Sequence, residues 1–277
     1  MTINYAEKYS PKVAERFKLK SLTEAGINRE YDWAGVDTIN VYSIPTVALG
    51  NYSLEGLARY GTPAELENTI QTMKVARDRC FAITIDRKSL DDTVGAMVAG
   101  KALARQVDEV IVPEVDIYRI AAIATAGVAA GGVNSAKAVS TNQTAYKNFL
   151  AATEYFGDNK IPLTRRMAWV SYAFYSVIKQ DSSFMLASEI SKGELINGMV
   201  GKVDGVKIVP VPSSYLPENV EFVMCHPAAT VAADKLEDYK THDNPPGING
   251  LLIEGRIRYD AFVLEAKNKA IYVRMSA

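Results

Sequence analysis

The chain has 277 residues, with 31 Lys and Arg against 32 Asp and Glu, and only two Cys and two His. A formal net charge of -1 argues against a protein whose whole surface binds nucleic acid through a positive field. Two Cys and two His are too few for a disulfide framework and for most metal centres. At roughly 150 residues per domain, the length predicts about two domains or one large one.

We expect no targeting segment and no membrane span. The first 20 residues carry basic side chains among polar ones, with no apolar stretch behind them. The longest weakly polar stretch, residues 120–133, is rich in Ala and Gly and too short to cross a bilayer. The sequence therefore predicts a soluble protein made in the cytosol, without a membrane partner.

Residues 1–35 predict an extended or loosely helical arm. Their apolar residues are scattered among charges, and Pro11 interrupts any helix. So little apolar surface does not offset the entropy lost when such a segment becomes ordered on its own. Two interpretations remain open, a frayed terminus or an arm that packs on a neighbouring subunit.

Residues 36–87 predict a long β-hairpin that projects outward. Residues 36–44 and 81–86 alternate apolar and polar side chains, which is typical of strands. The stretch between them is punctuated by Gly and Pro. A loop of this length is unusual inside a compact domain, so we expect it to bind something outside the domain.

A long spine helix is predicted over residues 88–127. Ser89 is a candidate N-cap, apolar residues follow at helical spacing, and Pro113 predicts a kink or a restart. Beyond it, residues 128–235 alternate between predicted helices (141–156 and 172–178) and predicted strands (166–170, 198–203, 206–211 and 221–225). Asp204-Gly205 between two of these strands predicts a two-residue hairpin turn.

The C-terminal segment predicts two strands, residues 250–264 and 270–273, joined as a hairpin. A lone hairpin needs a sheet to join, and the early strands at 36–44 and 81–86 are available. We therefore expect a discontinuous domain of residues 88–127 and 236–277, with residues 128–235 inserted as a second domain.

The sequence offers little catalytic chemistry. Cys225 and His226 are the only adjacent pair that resembles a nucleophile and a base, but neighbours on a strand point to opposite faces. We expect no catalytic residue, no cofactor and no metal. A small α/β hydrolytic enzyme that uses Cys225 or His226 remains the alternative from a different class.

Tyrosine is the unusual component, with 15 Tyr against 8 Phe. Many lie outside the predicted core, and Tyr is favoured at protein–protein interfaces because its ring is apolar and its tip polar. We expect subunit contacts through aromatic and basic residues of the arm and the hairpin: Tyr5, Tyr9, Phe17, Tyr31, Trp33, Tyr52, Arg59, Tyr60, Arg77 and Arg79.

Several strings, taken in order, resemble the major capsid protein of tailed bacteriophages, of the sort found in phages and prophages of Gram-positive bacteria. The resemblance covers nearly the whole chain, and no single string is diagnostic. The strings are INYAEKYS at 3–10, DWAGV at 32–36 with the strand that follows to SIP at 43–45, RYGTP at 59–63, residues 81–86, RQVDE at 105–109, PEVD at 113–116, residues 197–214, KLEDYK at 235–240, DNPPG at 243–247 and AFVL at 261–264.

The resemblance implies the α+β fold of tailed-phage major capsid proteins. It implies an N-terminal arm (1–35), an extended β-hairpin loop (36–87), a peripheral domain with a long spine helix (88–127 and 236–277) and a mixed α/β axial domain (128–235). It also implies a function, a structural subunit that assembles with copies of itself, as pentamers and hexamers, into an icosahedral shell around double-stranded DNA.

The same resemblance implies further partners and a location. We expect a separate scaffolding protein, a portal, a possible decoration protein and only weak contact with the packaged DNA. The protein would be assembled in the host cytoplasm and found in the virion. An encapsulin-like compartment and another phage structural component, such as a tail protein, are alternative functions.

Overall fold

The computed structural model describes residues 21–28, 38–43, 46–55, 59–63, 65, 69–87, 99–134, 138–181 and 201–276. The chain divides into two units. We call Met1–Arg29 with Val75–Ala277 the body, and Glu30–Lys74 the loop unit.

The loop unit contains a two-stranded antiparallel sheet of β1 (Thr38–Ser43) and β2 (Thr69–Lys74). Ile39 lies opposite Met73 and both are buried, whereas Tyr42 lies opposite Ile70 and both are exposed. The strand predicted at 36–44 is confirmed over its described residues, 38–43. The expectation that this strand and 81–86 bracket one hairpin is wrong, because β2 is its partner. Ile70 and Met73 point to opposite faces, so β2 lacks the alternating pattern that identifies a strand.

In the body, three antiparallel strands form the first sheet, in the order β3 (Arg77–Asp86), β9 (Gly250–Val263) and β8 (Thr230–Asp243). Phe81, Gly255 and Tyr239 lie in one cross-strand row of this sheet. A Cβ at Gly255 would come 2.2 Å from the Phe81 ring, so the absence of a side chain lets the two aromatic rings approach across β9.

The predicted spine helix packs on one face of this sheet, in two parts. Helix α1 (Ala99–Gln106) runs through a π-helical turn (Val107–Ile111) into α2 (Val112–Ala129). In the π turn the Val112 N–H donates to the Val107 carbonyl, five residues back. Pro113 then falls in the first turn of α2, where no backbone donor is needed. The kink or restart expected at Pro113 is thus a change from π to α helix at Val112, and the chain stays helical throughout. The candidate cap Ser89 lies outside the described residues.

The second sheet of the body has five strands, in the order β10 (Ile271–Met275), β7 (Val220–Cys225), β4 (Met167–Ser171), β6 (Val206–Val211) and β5 (Lys202–Val203). Helices α3 (Ala145–Asp158) and α4 (Tyr172–Gln180) share one core with it, built on Phe149, Phe174 and Phe222. On the other face, Trp169 packs in a core that includes Ile120 and Ile123 of α2. The helices predicted at 141–156 and 172–178 and the strands at 166–170, 206–211 and 221–225 are confirmed.

The predicted C-terminal hairpin is wrong. Strand β9 pairs with β3 and β8, whereas β10 pairs with β7 in the other sheet. A 3-10 helix, Glu265–Ala270, carries the chain between them. Two neighbouring strands with similar patterns look like a hairpin in the sequence, and nothing local reveals that they join different sheets.

Residues 21–28 are fixed on the body through one buried carboxylate. Asp116 of α2 accepts hydrogen bonds from Ser21 Oγ (2.6 Å), Leu22 N (2.8 Å) and Thr23 Oγ1 (2.6 Å). Asp116 is only 1% exposed, and three donors stabilise a carboxylate that would otherwise be costly to bury.

The rest of this segment crosses the body to strand β8. Trp169 Nε1 donates to the Leu22 carbonyl (3.1 Å), and a Cβ at Gly26 would come 2.5 Å from the Trp169 ring. The Asn28 N–H then donates to the Thr230 carbonyl at the start of β8 (2.9 Å). The expectation of a loosely ordered terminus is therefore wrong for residues 21–28.

The Asp204-Gly205 turn yields the first prediction. Both residues have positive φ, 49° and 75°, as the two-residue turn requires. We expect Gly205→Val to lower the free energy of unfolding by about 1–2 kcal/mol, since a β-branched residue resists this conformation. Urea unfolding measures it. Gly157→Ala, in open space within α3, is the control and should not destabilise the protein. Equal stability of wild type and Gly205→Val would contradict the turn's role.

The buried carboxylate yields the second prediction. Asp116→Asn replaces an acceptor oxygen with an N–H donor and leaves at least one donor of residues 21–23 unpaired. We expect a loss of about 1–3 kcal/mol in unfolding free energy, and faster proteolysis before residue 28. The control is Glu109→Gln, which removes only the exposed pair with Arg105 (2.8 Å) and should change stability by less than about 0.5 kcal/mol. Matching losses in both variants would refute the anchoring role of Asp116.

Candidate assembly surfaces

The loop unit brings three of the predicted interface residues together. The rings of Tyr52 and Tyr60 meet edge to face, with centroids 5.0 Å apart. The Ser53 N–H donates to the Arg59 carbonyl (3.0 Å), which holds the two stretches side by side. Gly61, which follows directly, has a φ of 78° and turns the chain.

Large apolar side chains of the same unit are exposed. Leu49 is fully exposed, Tyr60 is 90% exposed and Leu54 81%. We call the whole set the loop surface: Tyr42, Val47, Leu49, Tyr52, Leu54, Tyr60 and Ile70. Single exposed apolar residues are ordinary, but seven in one small unit favour contact with another protein surface. Of its three tyrosines, Tyr52 and Tyr60 were predicted from the sequence as interface residues, whereas Tyr42 and the aliphatic members were not.

Arg77 and Arg79 contact the spine helix of their own chain. The Arg77 guanidinium lies 4.7 Å from the centre of the Tyr118 ring, a cation–π geometry. Arg79 Nε donates to Glu114 Oε1 (2.8 Å), which also accepts from Tyr259 Oη (2.9 Å). The hydrogen bond and charge of Glu114 raise the pKa of Arg79. These two residues thus bind β3 to α2, and their role between subunits stays a prediction.

The other predicted interface residues belong to the arm. Tyr5, Tyr9, Phe17, Tyr31 and Trp33 are outside the described residues. Residues 21–28 are the described part of the arm, and their contacts with α2 and β8 were not predicted from the sequence. An available signal was the acidic Asp116, whose immediate neighbours Val115 and Ile117 are apolar.

The environment of Cys225 and His226 does not favour catalysis. Cys225 is fully buried, and burial raises the pKa of its thiol, which disfavours the nucleophilic thiolate. His226 Nδ1 accepts from Ala228 N (3.1 Å) and Nε2 lies 3.1 Å from the Thr164 carbonyl, so these partners assign a neutral ring with its proton on Nε2. Burial lowers the pKa of His226. Both side chains therefore have structural roles: Cys225 packs in a buried core, and His226 contacts Ala228 and Thr164.

Neither a metal site nor a membrane-spanning helix occurs within the described residues. They contain no group of three or more His, Cys, Asp or Glu side chains placed to hold a metal ion. No helix among them combines the length and the apolar character needed to cross a membrane.

Comparison by sequence identifies no relative. No protein-family model matches the chain, and no curated protein matches it.

Comparison by structure gives matches over nearly the whole chain. A structure of Mycobacterium phage Che8 matches with a TM-score of 0.68 at 16% identity, covering 92% of this chain and 90% of that chain. The capsid structure of the Cyanophage P-SCSP1u matches with a TM-score of 0.70 at 13% identity, covering 94% and 88%. A virus-like particle from Pyrococcus furiosus matches with a TM-score of 0.59 at 11% identity, covering 98% and 100%.

These likenesses extend across both units and both sheets rather than one domain. They confirm the fold expected from the resemblance. The chain has the α+β fold of bacteriophage capsid proteins.

Proposed function

We propose that the chain is the structural subunit of an icosahedral shell that encloses the double-stranded DNA of a tailed bacteriophage. The observation that carries the proposal is the capsid fold over more than nine-tenths of the chain. A shell subunit needs surfaces that meet copies of itself, and the loop surface supplies one. A structural role also agrees with the buried, inert setting of Cys225 and His226.

The occupant of the loop surface is a second copy of the chain. A small two-stranded unit cannot bury seven large apolar side chains by itself. Contact with a neighbour removes them from water at about 25 cal/mol per Å² of apolar area. Repeated head-to-tail contacts of this kind close into rings, and several weak contacts per subunit add up to a stable shell.

The parts of the chain take distinct roles in this proposal. Residues 1–35 are the arm, 36–87 the extended loop, 128–235 the axial domain, and 88–127 with 236–277 the peripheral domain. Strand β10, which lies within residues 236–277, pairs with β7 in the five-stranded sheet. The arm aromatics and the loop residues, with Arg77 and Arg79 at the loop's base, make the contacts between subunits.

Further partners belong to the same proposal. A chain of net charge -1 suits a wall that encloses DNA and binds it only weakly. A separate scaffolding protein, a portal and a decoration protein would complete the particle, which assembles in the host cytoplasm and ends in the virion.

A protein compartment of the encapsulin type is the second candidate. The full-length likeness to the virus-like particle from Pyrococcus furiosus favours it. The two candidates differ in what the shell contains, protein cargo in a compartment and DNA in a phage head.

Electron microscopy of the expressed protein tests shell formation. We expect closed shells or five- and six-membered rings. A monomer of 30.3 kDa that persists at high concentration would contradict both candidates. Nuclease-resistant DNA in particles from the native source supports the phage head, and cargo protein without DNA supports the compartment.

The loop surface has its own test. Leu49→Asp combined with Leu54→Asp should leave the unfolding free energy within about 0.5 kcal/mol, because both side chains are exposed. The variant should form no shells, since two charges would be buried at the contact without partners. Light scattering measures assembly. Leu163→Asp, an exposed leucine of the body, is the control. Normal shells from the double variant, or equal failure of the control, would exclude the loop surface as the specific contact.

A further inference from the structure

The chain enters the body from the loop unit at a buried carboxylate. Val75 and Ala76 join β2 to β3, and the Ala76 N–H donates to Asp260 Oδ2 (2.8 Å). Asp260 belongs to β9 and is 4% exposed. Its other oxygen accepts from Tyr118 Oη of α2 and from Ala261 N, both at 2.8 Å.

The three hydrogen bonds link Asp260 to the connection between β2 and β3, to helix α2 and to its own strand, β9. The Tyr118 ring is in turn held between the Arg77 guanidinium at 4.7 Å and the Tyr259 ring, whose centroid lies 5.6 Å away. Burial and the hydrogen bond to Asp260 raise the pKa of Tyr118, so its hydroxyl stays protonated and continues to donate. The cluster therefore fixes the first residues after the loop unit against both α2 and β9.

The chain leaves the body near the same end of the same sheet. Asn28 bonds to Thr230 and forms a parallel bridge with Val231 of β8. Asp260 lies opposite Ala233 in the β8–β9 register, and Val231 lies opposite Phe262. Both connections to the loop unit thus attach to the body within a few residue positions along the three-stranded sheet.

We propose that Asp260 and Tyr118 are positioning residues that anchor the chain directly after the loop unit, and that closed shells require this anchor. This inference rests on the proposed function. Without the hydrogen bond to Asp260, Val75 and Ala76 gain conformational freedom, and a contact between subunits through the loop surface would have to remove it again.

The test compares three variants of the full chain. Asp260→Asn leaves at least one of the Ala76 and Tyr118 donors without an acceptor, and Tyr118→Phe removes one bond while keeping the ring. Glu114→Gln is the matched control, because it weakens the bonds of the same helix to Arg79 and Tyr259 and leaves Asp260 untouched. Hydrogen exchange at the Ala76 amide reports the anchor, and electron microscopy at matched folded fraction reports assembly.

We expect exchange at Ala76 to rise at least tenfold in Asp260→Asn, less in Tyr118→Phe, and less than twofold in Glu114→Gln. Where wild type and control form closed shells of one diameter, Asp260→Asn should give open or mixed particles. Unchanged exchange at Ala76, normal shells from Asp260→Asn, or equal defects in the control would overturn the proposal. If Asp260→Asn does not fold, Tyr118→Phe decides by the same criteria. If the wild type forms no shells, the proposed function is wrong. Hydrogen exchange at Ala76 then still shows whether Asp260 holds that amide.

Discussion

The body depends on the packing of one helix, α2, against three neighbours at once. Its first turns, through Val112 and Val115, share a core with Ile253 and Ile257 of the three-stranded sheet. Its later turns, through Ile120 and Ile123, share another core with Trp169 and Ile271 of the five-stranded sheet. Between the two, Asp116 accepts the hydrogen bonds of residues 21–23.

At Gly127 a Cβ would come 2.4 Å from Ile271, so the helix approaches β10 more closely than any side chain permits. A helix surrounded in this way must be apolar on most sides, which explains its weak amphipathic pattern.

This arrangement separates the side chains that stabilise the subunit from those available to a neighbour. In the body the largest aromatic side chains of the cores have no exposed surface, namely Trp169, Phe149, Phe156 and Phe222, although Tyr172 is exposed. In the loop unit most of the large apolar side chains described are exposed instead. Folding of the body has therefore already removed its large aromatic side chains from water. The exposed apolar side chains of the loop unit would be removed from water only when another surface contacts them. A protein built this way can fold as a subunit first and gain its remaining apolar burial on assembly.

The sequence predicted local elements better than the way they are joined. The helices around 141–156 and 172–178 and the hairpin turn at Asp204-Gly205 follow from periodicity and turn chemistry, which are local. Strand β2 was missed because Ile70 and Met73 do not alternate. The C-terminal hairpin was predicted wrongly because β9 and β10 have similar patterns and differ only in distant partners. Of the candidate site, Tyr52, Arg59 and Tyr60 were found from composition, while Asp116 and Asp260 escaped notice because an acidic residue is usually taken as solvated until its donors are known.

The low identity to structures of the same fold limits which residues can carry specificity. At 11% to 16% identity, most aligned positions hold different side chains in the compared chains, so the fold depends on pattern and volume rather than on particular residues. Pattern alone sets two sheets and a spine helix. It does not place the polar side chains that anchor the chain where the loop unit ends, because their donors come together only in the folded chain. Selectivity for copies of the same chain requires a surface that fits and, in our proposal, an anchored connection next to it. The loop surface supplies the first, and Asp260 with Tyr118 supplies the second.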